Sequence, residues 1–323
     1  MIFIYAAIRT DHGLDYSSYE NMFNNIKNYF GTIYYNSTTE IGYVLLNKIM
    51  PSHRILLVVL SVFTCYTYYW LFRNYVPPKF YWFAFALMAI MGNTLLFFQL
   101  SGLRNAIAIN IMTLATPLII KRKFIPYILL TVLAFTFHRS AILIMPIPYF
   151  IATPFEFKRK NILIWSITCI VLMVFSTSRL AEIISPFINT YFNKYSTYIE
   201  HAIEYEFSAK STILLIIFVV TFLFLSFTVL SQVNLNNTEI VIFKLSLLFI
   251  VSPIFGALNI RMSQYFAPYF LLSGVIVMNR VKKPVLKNAY LGAMIIYLLY
   301  AFFIDFMGKP NFPYEIYHTI FDY

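Results

Sequence analysis

Several short stretches of this sequence carry side chains able to do ionic or acid–base chemistry, and they lie far apart along the chain. RTDHGLDYSSY gathers Arg9, Asp11, Asp15, Tyr16 and Tyr19, TEIGYVLLN holds an isolated Glu40, and SGLRNAIAIN opens on Arg104. FHRS pairs His138 with Arg139, and NIRMSQYF carries Arg261. A guanidinium is a planar fork that binds phosphate through parallel hydrogen bonds. A carboxylate can take a proton from a hydroxyl, and an imidazole can act as either acid or base. Arginines converging beside carboxylates and a histidine would make a site for an anionic, phosphorylated ligand. No glycine-rich phosphate loop is present, which argues against a nucleotide.

Each residue also has a plainer reading. Asp11 and Glu20 fit the carboxylates that cap or precede a helix, and Glu40 fits a polar residue in a helical first turn. Arg104 and Arg261 fit boundary arginines whose heads reach for water, and His138 fits a hydrogen-bonded turn residue. The functional reading therefore rests on their joint occurrence on one face, which depends on the elements that position them.

Those elements are set by a lipid environment. The chain is 60% apolar and 11% charged with a mean hydropathy of +0.72, far from the balance of a water-soluble domain. Apolar runs near the length needed to cross a bilayer are read at 54–72, 80–99, 102–120, 161–178, 211–231, 239–258, 262–279 and 285–306. Residues 124–151 would make a helix of roughly 42 Å, too long for the bilayer, with His138 and Arg139 at its middle. Two short helices meeting at FHRS fit better. The expected architecture is all-α, a polytopic transmembrane bundle of about 10 spans including that hairpin. The opening MIFIYAAIR is too short to span and shows no basic leader, so no cleavable signal peptide is expected.

Charge orients the bundle. With the hairpin in place, Arg73, Lys79, Lys121, Arg122, Lys123, Lys158, Arg159, Lys160, Arg280, Lys282, Lys283 and Lys287 share one side, half of the 24 Lys and Arg. By the positive-inside rule that side is cytoplasmic. All but two of the 13 carboxylates then fall outside, and so do Arg9, Arg104, Arg139 and Arg261. The net charge of +11 thus reports membrane orientation rather than nucleic-acid binding. An Arg near the centre of a membrane helix costs about 2.5 to 3.5 kcal/mol, so arginines at this boundary call for partners.

Two outer interfacial helices are expected within 9–52. In one, Ser17 and Glu20 stand at capping-box spacing and Tyr19, Phe23, Ile26 and Phe30 at helical intervals; the other runs over 39–49. The segment 179–210, rich in Tyr and Phe with Glu182, Glu200, Glu204 and Glu206, reads as an outer, partly helical lid. Cys65 and Cys169 lie in apolar segments without metal-ligand spacing and read as packing residues.

In order along the chain, R-x-D-x-G-x-D-Y-x-x-Y, E-x-G-Y-x-x-x-N, G-x-R-x-x-I-A, F-H-x-S-A and a late R-x-x-x-Y-F resemble the EpsG and Wzy type of polysaccharide polymerases, from Arg9 to about Phe270. The resemblance implies a glycosyltransferase of the C superclass, working on polyprenyl-diphosphate sugars outside a bacterial cytoplasmic membrane and needing no metal or other cofactor. The matching positions carry over Arg9, Asp15, Tyr16, Glu40, Arg104, His138 and Arg261; read chemically, Asp15, Glu40 and His138 would be catalytic residues, Arg9, Arg104, Arg139 and Arg261 ligands of the diphosphate, and Tyr16 and Tyr19 substrate contacts. Its partners would be the lipid-linked glycan, membrane lipid, and a chain-length regulator and flippase of the same pathway, with no nucleic acid. The rival readings are a lipid-linked oligosaccharide flippase, which would show internal repeats around a midplane cavity, an O-antigen ligase, which shares the leaving group, and a membrane acyltransferase.

Overall fold

Lipid offers no partner to a bare N–H or C=O, so a chain this apolar satisfies its backbone within helices. The computed structural model describes residues 7–10, 15–28, 39–91, 101–152, 209–252, 259–307 and 318–319. The expected helix at 161–178, the segment 179–208, the ends of the 80–99 and 239–258 runs, Asp11, Phe30 and Cys169 lie outside the described residues.

By packing, the chain divides into two units, Met1–Phe150 with Tyr300–Tyr323, and Ile151–Leu299. The first unit contains a two-residue strand β1 (Arg9–Thr10), then α1 (Tyr16–Asn28), α2 (Ile41–Ile49), α3 (His53–Tyr75), a short 3-10 turn and α4 (Tyr81–Ile90). It continues with α5 (Leu103–Leu114), α6 (Thr116–Ile120), α7 (Phe124–Phe137), α8 (Ala141–Ile144) and α9 (Pro146–Ile151, whose last residue opens the second unit). β1 pairs antiparallel with β2 (His318–Thr319), Arg9 opposite Thr319.

Helices form in both stretches where interfacial helices are expected. α1 buries Tyr16, Tyr19 and Phe23 and exposes Ser17, Ser18, Glu20, Asn21, Asn24 and Asn25. It starts at Tyr16, one residue before the expected cap Ser17, and the Tyr16 ring packs edge-on against His53 at 5.4 Å. α2 has the opposite character, with Ile41, Leu45 and Ile49 exposed and Tyr43 and Asn47 buried. That outward apolar stripe suits a lipid surface, whereas the outward face of α1 is polar.

α3 presents Ile55, Val59, Val62, Tyr66 and Tyr69 as an exposed stripe at spacings of three and four. By length and composition this 23-residue helix can cross a membrane. It alone among the described residues meets that measure by itself; shorter apolar helices accompany it. Inward, Thr64 on α3 accepts a hydrogen bond at 2.9 Å from Asn110 Nδ2 on α5.

The run expected over 102–120 breaks between α5 and α6. Pro117 has no N–H to give the carbonyl of Thr113, and the Thr116 hydroxyl donates to that carbonyl instead, at 2.6 Å. The hairpin at 124–151 forms as its length required: α7 stops before His138 and the chain returns through α8 and α9. Tyr127 on the outgoing arm stacks on Tyr149 of the returning arm at 5.5 Å, and its hydroxyl donates to the Met145 carbonyl at 2.5 Å. Arg122, at φ 55°, lies 4.1 Å over the Tyr149 ring, donates to the Tyr149 carbonyl, and accepts from the Tyr149 hydroxyl at 2.9 Å.

These helices give the first unit two chemically different ends. One carries Arg73 at the end of α3 and Lys121, Arg122 and Lys123 at the foot of the hairpin. The other carries His53 and Arg54, Arg104 at the start of α5, and the hairpin tip His138–Arg139.

The second unit contains α10 (Ala209–Gln232), α11 (Asn237–Val251), α12 (Asn259–Arg280) and the part of α13 (Pro284–Met307) up to Leu299, the remainder of that helix belonging to the first unit. Asn236 and Glu239 form a reciprocal capping box at the start of α11, and Glu239 also accepts from Arg280 Nε at 2.6 Å. The start of α11 and the end of α12 are therefore neighbours, as an antiparallel pair requires. Phe249 stacks on Phe270 at 4.5 Å, and the Tyr290 hydroxyl meets Ser273 Oγ at 2.9 Å.

Gly42 lets α2 close on α7: a Cβ there would lie 2.5 Å from Thr136 Oγ1 and 2.8 Å from the Thr136 carbonyl oxygen. Gly292, in α13, has nothing within 4 Å of the same position. Gly42→Ala should cost about 1–3 kcal/mol of stability, as forced overpacking does, and Gly292→Ala should leave it unchanged or slightly raised. Thermal unfolding of the two detergent-purified variants checks the contrast.

Candidate functional site

α2 begins just after Glu40, whose backbone is extended (φ −70°, ψ 140°) and whose carbonyl starts the helix by accepting from the N–H of Tyr43 and Val44 at 3.1 Å. Its side chain does not cap that helix. Instead Oε2 accepts from Arg104 Nη1 at 2.6 Å, while Oε1 accepts from the backbone N–H of Arg139 at 3.4 Å and stands 3.8 Å from His138 Nδ1. Glu40 is 6% exposed and the Arg104 side chain 19%. A carboxylate removed from water to this degree needs such donors to offset its lost hydration.

Arg104 is held on its other side by aromatic rings. Its guanidinium carbon lies 5.9 Å from the centre of the Tyr19 ring, within cation–π range, and Tyr19 meets the edge of Tyr43 at 5.8 Å. Burial pushes the Tyr19 phenol above its ordinary range, and the Arg104 charge only partly opposes this. Tyr19 therefore remains a neutral phenol, and its oxygen accepts from the Arg104 guanidinium, which can only donate. Tyr43 is likewise pushed up by burial, and its carbonyl accepts from Asn47 Nδ2 at 2.7 Å. Arg104 Nε is buried without a hydrogen-bond partner, so one arm of its fork is unused.

The structure thus brings together Glu40, Arg104, His138, the Arg139 backbone and Tyr19 from four helices or their ends. Asp15 is exposed at the head of α1, where its carbonyl accepts from the Tyr19 N–H at 2.9 Å and its charge bears on the Tyr19 phenol. The Arg139 side chain is half-buried. Arg9 is 1% exposed and belongs to a neighbouring cluster with Tyr16, His53 and Arg54. Arg261 stands in the first turn of α12, in the second unit, and its side chain lies outside the described residues.

Sequence reasoning missed Arg54 and His53. Arg54 Nη2 donates to the Ile8 carbonyl at 2.9 Å and Nη1 to that of Arg9, so it ties the N-terminal strand to the head of α3. The signal was present: Arg54 is an arginine at the same end of an apolar run as Arg104. Glu20 Oε1 lies 3.9 Å from His53 Nδ1, joining α1 to the same place. Among the described residues no group of His, Cys, Asp and Glu is arranged to hold a metal ion.

A helical membrane protein with a buried Arg–Glu–His cluster at one end of its bundle is the class these features define. The chain belongs to the EpsG family, whose model matches residues 1–316. Members of this family are Wzy-type polymerase-like, which gives the chain a polymerase-like role in surface polysaccharide biosynthesis. No curated protein and no solved structure matches it.

Removing one member of a buried ion pair strands the other, at about 3–5 kcal/mol. Glu40→Ala and Arg104→Ala should each destabilise the protein, and the double variant should lose less than the sum, with a coupling of about 0.5–3 kcal/mol. Thermal unfolding of the four proteins of the cycle measures this; additive losses would show that the two side chains do not support each other.

Proposed function

We propose that this protein joins polyprenyl-diphosphate-linked oligosaccharide repeat units into surface polysaccharide on the outer face of a bacterial cytoplasmic membrane, as a multi-pass enzyme of about 10 spans with a C-superclass glycosyltransferase fold. One observation carries the reading: Glu40, Arg104 and His138 cluster at the end of the helices opposite Arg73 and Lys121–Lys123. Positive-inside bias makes the basic end cytoplasmic and the cluster end external. Lipid-linked repeat units are presented there.

The chemistry follows from the charges. A sugar hydroxyl of one unit attacks the anomeric carbon of another, a new C–O bond forms, and the bond from that carbon to the diphosphate oxygen breaks. The electron pair leaves with the lipid diphosphate, whose growing negative charge is stabilised by Arg104, with Arg9 or Arg139 contributing; Arg261 is proposed as a further ligand of that charge on the sequence motif alone. The hydroxyl proton passes to Glu40 or Asp15, and His138 either donates to the departing phosphate or shares the base role. Tyr19 and Tyr16, buried under α1, support the surface that the glycan meets. Since Tyr16 is packed on His53, its contribution is to hold that surface in place.

Deletion of the gene in its host, followed by a gel of surface polysaccharide, should collapse a ladder to single repeat units. Loss of all surface glycan with lipid-linked material trapped inside would instead indicate a flippase. Complementation with Arg104→Ala or Arg261→Ala should restore inserted protein but no polymer, a loss of at least about a hundredfold if each stabilises the leaving charge. Near-normal chain length from either variant removes that residue from the mechanism.

A further inference from the structure

The carboxylate of Glu40 sits where an anionic ligand would sit. It is met by a guanidinium, a backbone N–H and an imidazole, the donor types that bind phosphoryl oxygens. The fit is incomplete in a specific way. Only the Arg104 contact is short, at 2.6 Å; the Arg139 N–H is at 3.4 Å and His138 Nδ1 at 3.8 Å, both on one oxygen. Two carboxylate oxygens are spread across three donors, and Arg104 Nε remains buried without a partner although a bidentate ligand would use it. A tetrahedral phosphoryl group, with three outer oxygens, matches this donor set better than a planar carboxylate does.

Glu40 is also placed to leave. It is the residue at which α2 starts, its backbone is extended, and its side chain makes no cap to its own helix. On release from Arg104 it could turn toward the first-turn N–H groups of that helix, where a carboxylate is favoured. The titratable and charged side chains at the position are Arg104 and His138, beside the Arg139 backbone N–H, and the charge of Asp15 acts on Tyr19.

We infer that Glu40 is a tethered stand-in for the donor's diphosphate: in the resting protein it fills the Arg104–Arg139–His138 anion position, and the arriving lipid-linked diphosphate displaces it. This deepens the polymerase reading and rests on it. Displacement holds the site closed to water and small anions until a ligand with more phosphoryl oxygens arrives, and it frees the Glu40 carboxylate only when a donor is bound. The base is thereby unmasked by the substrate it serves.

The test uses the full-length protein in nanodiscs, with farnesyl diphosphate and inorganic pyrophosphate as probes and affinity read by calorimetry. Glu40→Gln, which loses the charge, and Glu40→Asp, which keeps it one methylene short of Arg104, should both bind farnesyl diphosphate about tenfold or more tighter than wild type, the gain expected when a largely closed site is opened. Tighter binding by Glu40→Gln with wild-type affinity in Glu40→Asp would mean simple charge repulsion and would overturn the stand-in. Equal affinity in all three proteins would overturn it too, leaving the diphosphate reading intact. Failure of wild type and both variants to bind either probe would instead defeat that reading. Pyrophosphate binding as tightly as farnesyl diphosphate would overturn the claim that small anions are kept out. In wild type, carbodiimide footprinting should show Glu40 more reactive with farnesyl diphosphate than without; unchanged or lower reactivity contradicts displacement, even if the variants do not fold.

Discussion

The contact between Arg104 and Glu40 organises the first unit of this protein. Neither charge would be stable alone at the edge of a lipid-covered bundle, and each is there because the other is. Their meeting fixes α2 against α5, and the approach of α2 to α7 at Gly42 and Thr136 brings the same carboxylate to the hairpin tip. Tyr19 closes the arrangement from α1, which is how a helix with a polar outward face comes to be tied to apolar ones.

The requirement to satisfy backbone groups inside lipid shapes the rest. Where Pro117 deprives Thr113 of a donor, Thr116 supplies one from its side chain. Where the chain must turn sharply before α7, Arg122 takes a left-handed conformation and is clamped by Tyr149 through its ring, hydroxyl and carbonyl. That clamp at the foot of the hairpin and the Glu40 contact at its tip hold α7 and α9 in register. The tip thus presents the Arg139 N–H and the His138 ring to Glu40.

Much of this was legible in the sequence. Hydropathy and length located the long helices to within a few residues, and the excess length of 124–151 with His138 and Arg139 at its middle forced the hairpin. Side-chain pairings were not legible. Glu40, Arg104 and His138 could be picked out because charge is rare in such a chain, but nothing in their spacing said that one carboxylate would serve both of the others. Arg54 escaped notice because its contacts are to backbone carbonyls, which leave no partner residue to recognise. Gly42 carries a meaning visible only with Thr136 opposite. The second unit shows the same division: α11 and α12 were evident as apolar runs, whereas the Glu239–Arg280 contact joining their ends depends on antiparallel packing.

In the function proposed, a lipid diphosphate departs at the Arg104–Glu40 end of the bundle as sugars are joined. The most direct measurement is reconstitution of the purified protein in liposomes with a polyprenyl-diphosphate-linked repeat unit and no added divalent metal, following polymer length and released lipid diphosphate together. The account predicts a ladder of products with one lipid diphosphate released per bond formed, and neither product from a folded Arg104→Ala variant. Movement of intact lipid-linked units across the bilayer without bond formation would contradict it.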